Sequence, residues 1–378
     1  MKRRILPLSL IVASAIIGYA CSSETPANPT PDPTPPVEGG SPVDVDGSKP
    51  VETKDGSVTD APPGDTFVPP SGNPIDGIAA PVVVLNNIYV EGPQWAGDGL
   101  YYSEAKPDGF LLRYVPTAAM SVTNPQVVRP VVTAGSTPLG TTLNEKNMKL
   151  LTLEVNNGTP GAQLVETATT GIFLTRPGTP LVLTVDGGAA PAFDSPNDAV
   201  VRKADGTIYV TDPSYQAGAG VTTNHIWRIK PITNEAIELQ IPGRPNGIAL
   251  SPNDSILYVS FTDPDLLAPP MIMKFPVAAD GSISMTNATK LADLLPGGDQ
   301  DVNSLADGLA VDSSGNIYVA VRTGVEVLKP DGSKWGKIPT GAKVINGIAF
   351  GGADKKTLFM TSSTGLLSVS VKVAGLVQ

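Results

Sequence analysis

The sequence predicts an all-β chain, a six-bladed β-propeller preceded by a secretory leader and a disordered Pro-rich tether. Three observations carry that expectation. Short β-rich runs bounded by Gly, Pro, Asn and Asp fill the last roughly three hundred residues, where helix-period patterns are scarce. One block recurs six times, as a polar corner, an inner strand, a Gly or Asp turn, and then a second and third strand. The repeat runs roughly 40–60 residues, the size of one small sheet that must stack on neighbours to bury both faces. Two unrelated β-sandwiches would not explain the shared internal pattern.

The chain opens Met1-Lys2-Arg3-Arg4, then an apolar run from Ile5 to Ile17, then Gly18-Tyr19-Ala20-Cys21. A basic start, a short apolar stretch and small residues before a Cys describe a leader over residues 1–20, too short to span a bilayer. Cys21 is the only cysteine, so no internal disulfide can form. The segment resembles a bacterial lipoprotein leader, with Cys21 as the acylated first residue of the mature chain; an ordinary cleaved leader is the alternative. Ser22 rather than Asp after the Cys implies sorting to the outer membrane, by the same resemblance. Residues 21–75 are rich in Pro, Thr, Ser and Asp and nearly free of large apolar side chains. Such a segment cannot offset its ordering entropy, and its X-Pro repeats favour an extended, semi-rigid tether. The propeller is expected over 76–378.

The six units are legible in order. Glu91-Gly92-Pro93-Gln94-Trp95 opens the first, Leu139-Gly140-Thr141 the second, and Ser195-Pro196-Asn197-Asp198-Ala199 the third. Pro245-Asn246-Gly247-Ile248 opens the fourth, Ala306-Asp307-Gly308-Leu309 the fifth, and Ile345-Asn346-Gly347-Ile348 the sixth. Ring closure needs a strand from the other terminus, and Pro81-Val82-Val83-Val84-Leu85 is placed to pair at the edge of the last blade, which also protects that edge.

The formal net charge is −10, and loss of Lys2, Arg3 and Arg4 with the leader leaves 23 basic against 36 acidic side chains, or −13. No basic stripe exists to meet phosphates, so nucleic-acid binding is not expected. The first corner positions are Glu91, Leu139, Asn197, Asn246, Asp307 and Asn346. In a propeller these are equivalent and converge on one end of the central channel. Carboxylates and amide oxygens there suit a hard cation such as Ca²⁺. Zinc is disfavoured, with one Cys and one His in the chain. An Asn or Asp at a strand entry also serves simply as a turn residue, a role for which Glu91 is poorly suited.

Those corners, with Thr211-Asp212-Pro213, Ser251-Pro252, Asp307-Gly308-Leu309-Ala310-Val311-Asp312 and Asn346-Gly347 followed by Gly351-Gly352, resemble the gluconolactonase / senescence-marker-protein / luciferin-regenerating family over about residues 80–378. The resemblance implies a six-bladed propeller holding one divalent metal, usually Ca²⁺, with Glu91, Asn246 and Asp307 as ligands. Asn197 matches the position that completes the metal shell or touches substrate, and Asp307 the position of the proposed base. It further implies a metal-dependent hydrolase acting on a small-molecule lactone or ester, of sugar-lactone type or less polar; with the lipoprotein-like leader, the expected form is a monomer in the cell envelope. The alternative is a non-catalytic, calcium-stabilised propeller that binds a ligand or envelope partner.

The chain departs from the family in its second unit. Leu139 replaces the usual corner Asn, and Glu154 is followed by Val155-Asn156-Asn157-Gly158 rather than by a His and arginines. Recognition of a polyhydroxylated sugar is therefore expected to be weakened. Glu154, Asp212, Tyr215 and Asp263 follow or end second strands and are candidates for substrate contact. His225 begins a third strand and reads as a packing residue; Tyr101, Tyr102, Tyr209, Tyr258 and Tyr318 likewise read as core.

Overall fold

The computed structural model describes residues 72–378 apart from 117–124, 157–161, 171–175, 186–187, 189–192, 214, 216–223, 263–269, 295–305 and 342. The leader, Cys21, nearly all of the tether and Asp263 lie outside the described residues. By contacts the chain divides into units 1–59 and 60–378, and every described residue belongs to the second.

Twenty-four strands form six four-stranded antiparallel sheets, as the repeats predict. Blade one holds β2 (Val90–Ala96), β3 (Gly99–Glu104), β4 (Phe110–Tyr114) and β5 (Gln126–Pro130). Blade two holds β6 (Ser136–Asn144), β7 (Lys149–Asn156), β8 (Gln163–Ala168) and β9 (Gly178–Pro180). Blade three holds β10 (Ala199–Val201), β11 (Ile208–Asp212), β12 (Asn224–Ile229) and β13 (Ala236–Ile241). Blade four holds β14 (Pro245–Leu250), β15 (Ile256–Phe261), β16 (Met271–Pro276) and β17 (Thr289–Asp293). Blade five holds β18 (Ala306–Val311), β19 (Ile317–Val321), β20 (Gly324–Leu328) and β21 (Lys334–Pro339). Blade six is completed from the other end of the domain. Strand β1 (Val82–Asn86) pairs antiparallel with β24 (Gly365–Ser370), outside β23 (Thr357–Ser362) and β22 (Ile345–Gly351). The one helix among the described residues is a single 3-10 turn at Met285–Asn287.

The core lies between blades, not within them. Trp95 of β2 stacks on Phe359 of β23 at 5.8 Å, and Tyr318 of β19 meets Phe350 of β22 edge-on at 5.0 Å. The second-strand tyrosines Tyr101, Tyr102, Tyr209, Tyr258 and Tyr318 are all buried, at most 1% exposed, so they pack the ring rather than face its channel. Tether-end residues 72–75 meet the ring too, since Lys372 donates its backbone N–H to the Pro74 carbonyl at 3.0 Å.

The inner strands share a defect. Register breaks at the corner in β2 (Glu91/Gln94), β6 (Pro138/Thr141), β14 (Pro245/Ile248), β18 (Ala306/Leu309) and β22 (Ile345/Gly347). A bulge frees one residue from the ladder and re-aims its side chain. The residue after the freed one is Gly in five blades because the corners nearly touch. A Cβ on Gly92 would lie 2.5 Å from the Leu139 carbonyl oxygen, one on Gly140 2.5 Å from that of Asn197, and one on Gly247 2.4 Å from that of Asp307. Second-strand hydroxyls tie the same corners together. Thr211 Oγ1 donates to the Asn246 carbonyl at 2.6 Å, and Ser260 Oγ to that of Asp307 at 2.7 Å.

Candidate active site in the central channel

The six corners, five of them bulged, come together. Glu91, Leu139, Asn197, Asn246, Asp307 and Asn346 all line one central channel. At the far end, Leu376, Val377 and Gln378 line it as well. That tail is bonded to the last residues of two inner strands. Leu376 N–H donates to Val311 O at 2.9 Å, and Gln378 Oε1 accepts from Leu250 N–H at 2.9 Å.

Asp198 also lines the channel, and reading only the first corner residue missed it. It stands where the other corners carry Gly. Its Oδ1 accepts from its neighbour Ala199 N–H at 2.9 Å, and its Oδ2 from Ile248 N–H of blade four at 3.3 Å. The detectable signal is an Asn-Asp pair where every other unit reads X-Gly.

Three carboxyl groups thus share one channel. Burial pushes the Glu91 carboxyl up to about 8, against the Tyr89 hydrogen bond and with help from the Asp198 charge. Burial likewise pushes Asp198 up to about 7, against the N–H groups of Ala199 and Ile248. Asp307 lies well above the usual carboxylate range, first through burial and then through the charges of Glu91 and Asp198.

The amides beside them are poised as acceptors. Asn246 donates from Nδ2 to the Tyr215 hydroxyl at 3.2 Å, and Asn346 from Nδ2 to the Val90 carbonyl at 3.1 Å. Their Oδ1 atoms are buried with no hydrogen-bond partner, in side chains only 6% and 7% exposed. Leaving two buried carbonyl oxygens unsatisfied costs roughly 1–3 kcal/mol each. Orphaned amide oxygens beside carboxylates fit a hard, oxygen-seeking cation. Among the described residues no three His, Cys, Asp or Glu side chains form a metal cluster by themselves, so such a site depends on the amides. Asn346 belongs in it by this criterion, although sequence reading placed it at a corner without assigning it a ligand role.

Two tyrosines reach the same ring. Tyr89, 45% exposed, donates its hydroxyl to Glu91 Oε1 at 3.0 Å. The Glu91 charge, burial and the Asp307 charge all push its phenol upward, so it stays protonated. Tyr215 is raised by burial and by Asp307, with the Arg244 guanidinium 5.9 Å from its ring centre.

Other candidates lie elsewhere. Glu154 is fully buried between blades one and two, with Oε1 ion-paired to Arg129 and Oε2 accepting from Val132 N–H at 2.8 Å. Asp212 is fully buried, accepting from Ser195 N–H at 2.8 Å and from Trp227 Nε1–H at 3.0 Å. Neither lines the channel. His225 pairs through Nε2 with Glu238 at 2.8 Å and tilts against Trp227, a packing position.

Residues 139–364 match the family described as the SMP-30/Gluconolactonase/LRE-like region, and the chain belongs to that family. A gluconolactonase from Zymomonas mobilis is 28% identical over 319 residues, covering 79% of this chain and 83% of that protein. A gluconolactonase structure from Xanthomonas campestris superposes with a TM-score of 0.63 at 22% identity, covering 79% of this chain and 91% of the other. A calcium-binding regucalcin from Agrobacterium tumefaciens gives 0.55 at 17%, covering 80% and 96%. At these identities the two structures attest the fold alone.

Proposed function

We propose that this protein is a divalent-cation-dependent hydrolase of a lactone or ester, with Ca²⁺ as the favoured ion. The observation that carries this reading is the pair of unpartnered amide oxygens, Asn246 Oδ1 and Asn346 Oδ1, set beside Glu91 and Asp307 in one channel. Glu91, Asn246, Asp307 and Asn346 would hold the ion, with Asn197 adjacent. Membership in the family and the gluconolactonase relative support lactone chemistry.

Bound there, a divalent cation supplies Lewis acidity, which polarises a carbonyl and makes a water more acidic. The chain's own residues do the rest. Glu91 and Asp307 supply the two negative charges that neutralise a dication. Asp307, which lines the channel with Glu91 and Asn246, would take the proton of the attacking water. Asn197 offers a neutral oxygen or amide to the substrate. Leu139, apolar where its counterparts are polar, takes a less hydroxylated face of the substrate.

A panel of sugar and alkyl lactones, assayed with calcium and with chelator, tests the reading. Saturable, chelator-sensitive hydrolysis that Asp307→Ala abolishes is expected. Persistent inactivity of the folded, calcium-loaded protein overturns it and favours a binding propeller whose ion is structural. We further propose a monomer tethered to the cell envelope through lipid on Cys21, with the Pro-rich segment as spacer. Loss of membrane partitioning in Cys21→Ser is the expected result, and unchanged partitioning overturns that anchor.

A further inference from the structure

The donors around the channel are each held by a contact that fixes how many oxygens they can offer. Asn246 is turned by Tyr215 and Asn346 by the Val90 carbonyl, so each presents a single Oδ1. Glu91 differs, because a carboxylate has two oxygens and binds calcium through one or both. Here one of the two is already engaged. The Tyr89 hydroxyl donates its one proton to Oε1 at 3.0 Å, and the Gly92 backbone N–H is a second donor to the carboxylate. Tyr89 lies just before β2, two residues from Glu91, with its ring 45% exposed. A residue serving only to pack blades would bury that ring, as the second-strand tyrosines do.

We propose that Tyr89 is a positioning residue that restricts Glu91 to one-oxygen coordination, so that the ion keeps an open position for water or the lactone carbonyl. The inference rests on the cation site proposed above. The physical logic is that of groups behind metal ligands, which orient the ligand and set what the ion has left to offer. Without the hydroxyl, Glu91 is free to rotate about its last bond and close both oxygens on the ion. The site then gains a protein donor and loses a solvent position. Affinity is kept while turnover falls.

The test replaces calcium by terbium(III) and counts ion-bound waters from luminescence lifetimes in H₂O and D₂O. Tyr89→Phe keeps the ring and removes only the hydroxyl, so urea melts matching the parent establish that the fold is intact. The expected result is one bound water fewer in Tyr89→Phe, with terbium affinity equal or higher. In the calcium-loaded protein kcat should fall about 10-fold or more, within the 10–100-fold range seen when such supporting groups are removed. An unchanged water count in Tyr89→Phe overturns the inference while leaving the cation site standing. A parent protein that binds no terbium at all overturns the site itself, and this role for Tyr89 with it.

Discussion

Two groups of carboxylates in this ring have different surroundings: Glu154, Asp212 and Asp312 are fully buried, whereas Glu91, Asp198 and Asp307 are half-buried. Glu154 and Asp212, between and within blades, have donors at hand. Arg129 meets Glu154 as a buried cation, and Asp212 takes backbone N–H groups and the Trp227 indole. Asp312 is similar, accepting from Ser314 N–H, Asn316 N–H and Asn316 Nδ2, each within 2.9 Å. Glu91, Asp198 and Asp307 line the channel with no ion pair to a basic side chain among the described contacts. The first group lies in the closed walls of the fold; the second faces a channel, with Glu91 bonded to Tyr89 and Asp198 to the N–H groups of Ala199 and Ile248.

The largest expected effect breaks the structural side. Arg129→Met strands the Glu154 charge between blades and should cost roughly 3–5 kcal/mol in urea unfolding. Its kcat per folded molecule should be unchanged, since Glu154 does not line the channel. A loss of turnover with full stability would instead return Glu154 to the substrate.

Next comes the chemical side. Asp307→Asn should lower kcat/KM by roughly 10²–10⁴-fold, the usual worth of a positioned base. Its metal-free form should be at least as stable as the parent, because a neutral amide replaces a carboxyl whose charged form its surroundings disfavour. A variant that loses stability and activity together would place Asp307 in the structural group.

A third measurement sharpens the contrast through pH. In the metal-free protein Glu91 holds its proton to about 8 and Asp198 to about 7. Unfolded carboxyls titrate near pH 4. Between these limits the native state binds more protons than the unfolded one, so stability falls as pH rises. Each group that stays protonated contributes at most about 1.4 kcal/mol per pH unit. Denaturant midpoints in chelator should therefore drop from pH 5 to pH 8, and saturating calcium should flatten the slope. A flat profile in chelator would mean that the channel carboxylates already have partners.

The smallest effect concerns Asp212. Trp227→Phe removes one donor of several and should cost roughly 1–2 kcal/mol without altering the substrate profile.

Much of this contrast was legible in the chain, though unevenly. The six corners stood out because a propeller repeats both sequence and geometry, so equivalent positions converge by symmetry. The strand that closes blade six was readable from the valine run at Val82–Val84. The partners of Glu154 and Asp212 were not, because Arg129 and Trp227 sit 25 and 15 residues away and only the folded sheet brings them close. Following a second strand suggested the rim, but the alternation of the strand turns these side chains into the wall. Asp198 was overlooked because the corner pattern was read at its first residue, while the steric demand on the second is what makes a carboxylate there unusual. Tyr89 lies between the closing strand and blade one, outside the repeat, where no periodicity draws notice to it.

The C-terminal tail carries one more consequence. Leu376 to Gln378 fold across the end of the channel opposite the corners, bonded to Val311 and Leu250. That end of the channel is thus lined by a segment that belongs to no blade, tied to blades four and five through Leu250 and Val311, so a substitution there would reshape the channel without breaking any sheet.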